Sequence, residues 1–154
     1  MKKQLSKSLI ERFSRQIILK NIGILGQKKI LLSKVLIVGV GGLGSPAAEF
    51  LVRSGVGLLG IIDYDKVSLS NLHRQSLYET SHVGKSKVQV IKKILNRINP
   101  NTKVQTYNLK LNNNNFKKII KKYDYIVDGS DNFKTKFLLN CFFIYPLSQI
   151  HLYL

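Results

Sequence analysis

The chain has 154 residues, a length that suits one domain with a sizeable hydrophobic core. Its single cysteine, Cys141, excludes an internal disulfide and a cysteine-based zinc site within the chain, and it fits a reducing cytosol. The formal charge of +17 is compatible with nucleic acid as a partner, but the basic residues are spread along the whole sequence. We therefore expect no nucleic-acid partner.

No segment is typical of export or of membrane insertion. Residues 1–20 contain no apolar core of a secretory signal peptide. The longest apolar runs fall well short of the ~20 residues that a bilayer-spanning helix requires. The sequence therefore predicts a soluble, cytoplasmic protein without a membrane partner.

The first predicted element is an amphipathic helix over residues 7–20, because its apolar residues recur at helical spacing. Gly23 and Gly26 predict the end of this helix. We expect residues 1–32 to form an N-terminal helical arm. The apolar positions that define the predicted helix are Leu9, Ile10, Phe13, Ile17 and Ile18.

Strands and helices then alternate along residues 33–140, which we expect to form the main domain. The predicted strands cover residues 35–39, 58–63, 103–109 and 123–131. The predicted helices cover residues 44–55, 84–98 and 115–122, and one more begins near residue 132. This alternation predicts an α/β fold with a Rossmann-like, mostly parallel sheet and helices on both faces.

Residues 141–154 differ from the rest of the sequence. They are apolar and almost uncharged, and they lie where a doubly wound domain should still be adding strands. We expect an aberrant, truncated tail and a sheet that is incomplete at the C-terminus. A frameshift near Asn140 is one route to such a truncation.

Three groups of glycine or polar residues follow the predicted strands. The first runs from Gly39 to Gly44, the second contains Asp63 and Asp65, and the third covers residues 128–132. Ligands of parallel α/β sheets bind beyond the carboxyl ends of the strands. We therefore expect the three groups to meet at one edge of the sheet and to form a binding site.

The first group matches the G-x-G-x-x-G pattern of nucleotide-binding turns through Gly39, Gly41 and Gly44. Such glycines let the backbone approach a phosphate, and the following helix, with Ser45 expected at its N-cap, offers free N–H groups. Asp63 follows the second strand at the spacing expected of a carboxylate that holds ribose hydroxyls. The pattern alone does not distinguish NAD, FAD, SAM and ATP.

A polar and basic segment after Asp63 favours a nucleotide whose phosphates react. It contains Asn71, Arg74, Lys85 and Lys87. An arginine can bind two phosphate oxygens and a lysine acts as a point charge, so this set suits phosphoryl or nucleotidyl transfer. The alternative is a solvated surface, above all for Lys85.

The third group offers a carboxylate for a metal ion. Asp131 lies in the loop beyond the fourth strand, where it can hold Mg²⁺ through an oxygen or a water. A helix N-cap is the alternative and compatible role of Asp131. Asp128 is expected to cap the loop instead, and we expect His73 and His82 to make polar contacts without acting as bases.

Five segments of the sequence occur in a fixed order and spacing. They read RFSRQIIL, VLIVGVGGLGSPAAEFLVRSGVG, IIDYDKVSLSNLHRQ, VGKSKV and DGSDN. Through these segments the sequence resembles the ThiF/MoeB/HesA family, the bacterial relatives of ubiquitin-activating enzymes. The resemblance covers about residues 8–140.

The resemblance implies an ATP-dependent adenylyltransferase that activates the C-terminal Gly-Gly carboxylate of a small β-grasp sulfur-carrier protein. The pathway implied is thiamine- or molybdopterin-type sulfur transfer, and the implied cofactors are ATP and Mg²⁺, the metal being positioned by Asp131. Arg15 resembles an arginine that reaches into the site of a partner subunit, which implies a homodimer.

The resemblance also assigns site residues by motif. The implied catalytic residues are Arg74, Lys87, Asp131 and Arg15. The implied nucleotide-binding residues are Gly39, Gly41, Gly42, Gly44, Asp63, Asp65, Ser70, Asn71, Leu72, His73, Arg74, Lys87, Asp131 and Asn132.

The sequence departs from the family pattern at two places. The two C-x-x-C pairs that usually hold a structural zinc in the full-length family do not occur, so we expect no zinc site in this chain. Lys136 stands where the family usually has arginine, and a lysine does not reproduce a bidentate contact.

Two other functions remain as alternatives. A nicotinamide-dependent oxidoreductase would use the same glycine loop, although hydride transfer does not need Arg74, Lys87 and Asp131. An inactive nucleotide-binding remnant is favoured by the expected truncation. The identity of the carrier protein stays undecided, because the carrier-binding segment of the family is missing from the sequence.

Overall fold

The computed structural model describes residues 5–143 and 151–153. The strands are β1 (Lys34–Val38), β2 (Leu58–Ile62), β3 (Lys103–Tyr107), β4 (Tyr125–Asp128) and β5 (His151–Tyr153). The helices are α1 (Lys7–Arg12), α2 (Ser14–Ile17), α3 (Gly23–Leu32), α4 (Gly44–Ser54), α5 (Lys87–Ile98), α6 (Asn113–Ile120) and α7 (Phe133–Phe143). Between β2 and α5 the described chain also contains two 3₁₀ turns, Leu69–Asn71 and Thr80–His82.

The strands form one parallel sheet in the order β3-β2-β1-β4-β5. At the carboxyl end of β1, Val38 is in register with Ile62 of β2 and with Asp128 of β4. The chain therefore moves outward from β1 through β2 to β3, and then returns to the other side of β1 for β4. The crevice at such a reversal is the usual ligand site of an open α/β sheet.

Two apolar cores cover the two faces of the sheet, which confirms the predicted Rossmann-like α/β fold. One core packs side chains of α4 and α5 on the sheet, and the other packs side chains of α6 and α7 on the opposite face. The first contains Ile37, Val52, Leu59, Ile61, Ile91 and Leu95, and the second contains Leu36, Ile62, Phe116, Ile120, Tyr123 and Leu139.

The N-terminal arm differs from the predicted single helix over residues 7–20. Phe13 interrupts it with a φ of −105° and a ψ of 13°, so that α1 and α2 are separate short helices. The Phe13 ring is buried against Gly55, where a Cβ would overlap it. The predicted break before α3 is present, because α2 ends at Ile17 and α3 begins at Gly23, which has a φ of +56°. Gly26 lies inside α3 and ends no helix. The interruption between α1 and α2 results from the tertiary packing of Phe13, which the helical spacing of apolar residues does not predict.

A buried glutamine ties the arm to the main domain. Gln27 of α3 is fully buried, and its amide nitrogen donates to the Ser54 carbonyl at 3.1 Å. The Gln16 amide of α2 donates to the same carbonyl at 2.8 Å and to the Gln27 side-chain oxygen. Ser54 ends α4, so its carbonyl is one of those that have no partner within the helix. The two glutamines thus supply the missing donors.

Replacing Gln27 by leucine should lower the free energy of unfolding by about 1–3 kcal/mol, because a buried polar network loses a member. Urea denaturation measures this. Gln89→Leu is the matched control, since Gln89 lies exposed on α5 and should change stability by less than about 0.5 kcal/mol. Equal effects of the two substitutions would show that the network does not stabilise the arm.

The end of the chain continues the sheet. Helix α7 crosses the boundary expected after residue 140, and β5 pairs in parallel with β4. The rest of the tail, residues 144–150 and 154, lies outside the described residues. Among residues 5–143 and 151–153, no helix combines the length and the apolar character that crossing a membrane requires.

Candidate functional site

A cleft of about 790 Å³ opens at the carboxyl edge of the sheet. The loops after β1, β2 and β4 line it, together with the start of α5 and the segment between β3 and α6. Of the predicted site residues, those that line the cleft are Gly39, Gly41, Gly42, Asp63, Asp65, Asn71, Arg74, Lys87, Asp131 and Asn132. The expected convergence of three strand ends is therefore present in the structure.

Five predicted site residues do not line this cleft. Gly44 is buried at the start of α4, and Leu72 packs against the first core. Ser70 and His73 instead hold Arg74, whose Nη1 donates to the Ser70 carbonyl at 3.2 Å and lies 3.2 Å from His73 Nε2. Arg15 lies exposed on α2.

Backbone packing explains three glycines around β1 and β4. Gly39 has a φ of +85°, and a Cβ there would lie 2.9 Å from the Gly129 carbonyl oxygen. A Cβ on Gly44 would overlap the Gly39 carbonyl oxygen. The loops after β1 and β4 therefore touch through main-chain atoms alone, as the third glycine of the fingerprint requires.

The next two glycines leave room for a Cβ instead. A Cβ on Gly41 would meet nothing nearer than Gln75 Nε2 at 3.6 Å, and one on Gly42 nothing nearer than Arg74 Cδ at 3.6 Å. The main-chain N–H groups of Gly41 and Gly42 make no hydrogen bond within the described part of the chain. This turn leaves room and donors for an anion.

Ser45 does not have the expected capping role. Helix α4 begins at Gly44 with no side chain bonded to its first N–H groups, and Ser45 lies inside it. The Ser45 hydroxyl donates to the Gly41 carbonyl at 2.7 Å, a bond that fixes the turn instead of satisfying the helix end. The uncapped end of α4 adds to the anion-binding character of the turn.

Both carboxylate oxygens of Asp63 accept hydrogen bonds from main-chain N–H groups. Oδ2 accepts the Val40 N–H at 2.9 Å, and Oδ1 accepts the Asp65 N–H at 2.8 Å. The side chain is buried at the end of β2, beside the glycine turn. The ribose contact predicted for Asp63 would therefore share its oxygens with these two amides.

Three cations of the segment after β2 line the cleft, namely Lys66, Arg74 and Lys87. The Lys87 side chain is only 6% exposed, and its ammonium lies 3.1 Å from Asp65 Oδ2. The stem of Arg74 lies beside Gly42. The Lys87 main-chain N–H donates to the Asp65 carbonyl at 3.0 Å, which fixes the start of α5 against the loop after β2. Arg74 and Lys87 therefore line the same cleft as the glycine turn.

Neighbouring residues of the loop after β4 have different roles: Asn132 caps a helix, Asp128 holds the loop, and Asp131 is exposed to the cleft. Asn132 Oδ1 accepts the Thr135 N–H at 2.9 Å and so caps α7, the alternative role predicted for Asp131. Asp128 Oδ1 accepts the Ser130 N–H at 2.9 Å, as predicted. Asp131 is exposed to the cleft and makes no hydrogen bond within residues 5–143, so its carboxylate is available to a ligand.

The family of the chain follows from comparison with known proteins. The model described as the ThiF family matches residues 13–148, which is most of the sequence. The chain belongs to the ThiF family. This agrees with the resemblance inferred from its five motifs.

Relatives of this ThiF-family chain carry related names. The sulfur carrier protein adenylyltransferase of Thermus thermophilus is 43% identical over 135 residues, which are 88% of this chain and 50% of the relative. The adenylyltransferase and sulfurtransferase MOCS3 of Aedes aegypti is 44% identical over 137 residues, 89% of this chain and 31% of the relative. The chain thus spans about a third to a half of these relatives.

A solved structure of the ThiF-family fold carries a nucleotide. The E. coli tRNA N6-threonylcarbamoyladenosine dehydratase TcdA in complex with AMP superposes with a TM-score of 0.77 and 30% identity. The match covers 82% of this chain and 52% of TcdA.

Several residues that line the cleft of this ThiF-family chain were not predicted from its sequence. Gln75 is buried beside Gly41, and among the residues that the structure describes its Oε1 has no hydrogen-bond partner. The Lys110 ammonium lies 5.5 Å from the centre of the Tyr64 ring, and both residues line the cleft. Lys110 follows β3, and the rule that strand ends share one edge could have found it. Gln75 has no such signal beyond its position next to Arg74.

Charge is distributed unevenly over the ThiF-family chain. Half of its eight acidic residues lie at the ends of β2 and β4, namely Asp63, Asp65, Asp128 and Asp131. The Lys136 ammonium lies 3.7 Å from Asp128 Oδ2. Within the described residues, no three His, Cys, Asp or Glu side chains form a preformed metal site. A divalent ion held by Asp131 would need further oxygens from a bound phosphate.

Proposed function

We propose that the chain binds MgATP and adenylates the C-terminal Gly-Gly carboxylate of a small ubiquitin-like sulfur carrier. The observation that carries the proposal is one cleft lined by the glycine turn at residues 41–42, by the cations Arg74 and Lys87, and by the carboxylate of Asp131. The names of the two curated relatives support the reaction class, and the Thermus thermophilus name supports a carrier as substrate.

The proposed reaction needs no base or nucleophile from the protein. A carboxylate oxygen of the carrier bonds to the α-phosphorus of ATP, and the bond from that phosphorus to its bridging oxygen breaks. Pyrophosphate leaves with the electron pair, and no proton has to move. The protein's task is to bring two anions together and to neutralise the charge that develops on the phosphates.

The cleft residues divide that task. The N–H groups of Gly41 and Gly42 and the start of α4 receive phosphate oxygens. Arg74 and Lys87 offset the negative charge of the transferring and leaving phosphates. Asp131 is the residue to hold Mg²⁺, which when bound neutralises phosphate charge and orients the leaving group.

Arg15 is proposed to act on a second copy of the chain. It is exposed on α2 and does not line the cleft of its own chain. The neighbouring Gln16 anchors α2 to Ser54, so the position of Arg15 is fixed relative to the main domain. A homodimer in which each α2 faces the other cleft would complete the cationic set.

Calorimetric titration with MgATP and, separately, with NAD tests the first step. We expect MgATP to bind and NAD not to bind. A preference for NAD would favour an oxidoreductase and overturn the proposal, and binding of neither nucleotide would favour an inactive remnant. Pyrophosphate exchange in the presence of a thiamine-type or a molybdopterin-type carrier tests the second step and distinguishes the two pathways.

A further inference from the structure

The main chain of Val40 is held on both sides by buried side chains. Its N–H donates to Asp63 Oδ2 at 2.9 Å, and its carbonyl accepts the Tyr78 hydroxyl at 2.9 Å. Both hydrogen bonds are buried. Val40 lies between Gly39 and Gly41, whose lack of a Cβ would otherwise leave the adjoining peptide planes free to rotate. The two bonds therefore select one orientation of the turn.

The orientation of the Val40 carbonyl decides where the next amide points. The carbonyl and N–H of a trans peptide point in opposite directions, so bonding the Val40 carbonyl to Tyr78 directs the Gly41 N–H away from Tyr78. Gly41 lines the cleft, and its N–H makes no hydrogen bond within the described residues. If the peptide turned over, the carbonyl oxygen would take the place of this donor and would repel a phosphate.

Tyr78 itself lies in the core behind the glycine turn. It is 4% exposed, belongs to the first core, and does not line the cleft. Burial raises the pKa of Tyr78 above its usual value, and the charges of Asp63 and Asp65 raise it further. The hydroxyl is therefore a hydrogen-bond donor throughout the physiological pH range.

We propose that Tyr78 is a positioning residue that presents the Gly41 N–H to a phosphate through its hydrogen bond to the Val40 carbonyl. The inference rests on the proposed nucleotide site, and it adds a residue that never touches the nucleotide. The hydroxyl acts before binding, because it holds the turn in the orientation that an anion needs.

Tyr78→Phe tests this role, because it keeps the buried ring and removes only the hydroxyl. We expect the Kd for MgATP to rise about tenfold, the size of effect that one well-placed hydrogen bond produces. Tyr123→Phe is the matched control. Tyr123 is equally buried, its hydroxyl pairs with that of Tyr107 at 3.1 Å, and it belongs to the opposite core. This control should lose stability without losing affinity.

Amide hydrogen exchange of Gly41, measured by NMR, supplies the second readout. In the wild-type chain this amide should exchange rapidly without nucleotide and slow markedly when MgATP binds. In Tyr78→Phe the slowing should be largely lost even at saturating MgATP. A merely structural tyrosine would leave it intact.

The outcomes separate the inference from the function on which it rests. Equal MgATP affinity and equal Gly41 protection in wild type and Tyr78→Phe would overturn the role of Tyr78 and leave the nucleotide site standing. Failure of the wild-type chain to bind MgATP would overturn the site and the role together. A Tyr78→Phe chain that does not fold would also count against the inference, because the hydroxyl would then be needed for the core.

Discussion

Replacing Lys87 by methionine should reduce pyrophosphate exchange by about 100- to 1,000-fold, the usual loss when a charge-stabilising group leaves an active site. The fold should persist, because methionine resembles the aliphatic stem of the Lys87 side chain, which is only 6% exposed, and because Asp65, the partner of its ammonium, is half exposed. Exchange of labelled pyrophosphate into ATP, in the presence of a Gly-Gly carrier, measures the effect.

Lys85→Met is the control for this substitution. Lys85 lies two residues away, is exposed, and does not line the cleft, so its loss should leave exchange within about twofold of wild type. Near-normal exchange by Lys87→Met, or equal losses in both variants, would remove Lys87 from the catalytic set.

Gly44→Ala should destabilise the fold more than any other change in the glycine loop. Its Cβ would overlap the Gly39 carbonyl oxygen, and main chain at the junction of β1, α4 and the loop after β4 cannot move aside easily. We expect the free energy of unfolding to fall by about 3 kcal/mol. Urea denaturation followed by circular dichroism measures it.

Gly41→Ala, in the same loop, should lower MgATP affinity without lowering the free energy of unfolding. Its methyl group would meet only Gln75 Nε2 at 3.6 Å, so stability should be unchanged or higher by about 0.4–1 kcal/mol. The methyl group would narrow the turn that is proposed to receive phosphate, and MgATP affinity should fall. If Gly41→Ala and Gly44→Ala unfolded at the same urea concentration, the division of the loop into packed and open glycines would be wrong.

Local signals were sufficient to predict a mostly parallel α/β sheet and the three strand ends that meet at the cleft. Strand ends share one edge in any parallel α/β sheet, so Asp63, Asp131 and the glycine turn could be placed together from chain order alone. Lys87 and Arg74 could be added because their spacing repeats a family motif. The burial of these two side chains and their partners could not be predicted from the sequence. In the structure the Lys87 ammonium has a carboxylate partner in Asp65.

Long-range packing accounts for what the sequence did not predict. The break at Phe13 depends on Gly55, which lies far along the chain, and no local pattern links the two residues. The residue type and the position of Ser45 predicted an N-cap. In the structure α4 begins one residue earlier, at Gly44, which packs tightly against Gly39, so that Ser45 lies inside the helix. Nothing in the sequence around Tyr78 predicts that its hydroxyl donates a hydrogen bond to the Val40 carbonyl, 38 residues earlier in the chain.

The gathering of carboxylates at one edge, within a chain of net charge +17, bears on the speed of encounter with ATP. The cationic exterior attracts a polyanion from about 8–10 Å at moderate ionic strength, whereas the carboxylates favour a cation only at short range. Added salt should therefore slow association far more than it speeds dissociation, because capture depends on the long-range field and residence time depends on contacts in the cleft. The positive surface would attract the nucleotide from a distance, and the carboxylates of the cleft would retain the Mg²⁺ that is proposed to accompany it.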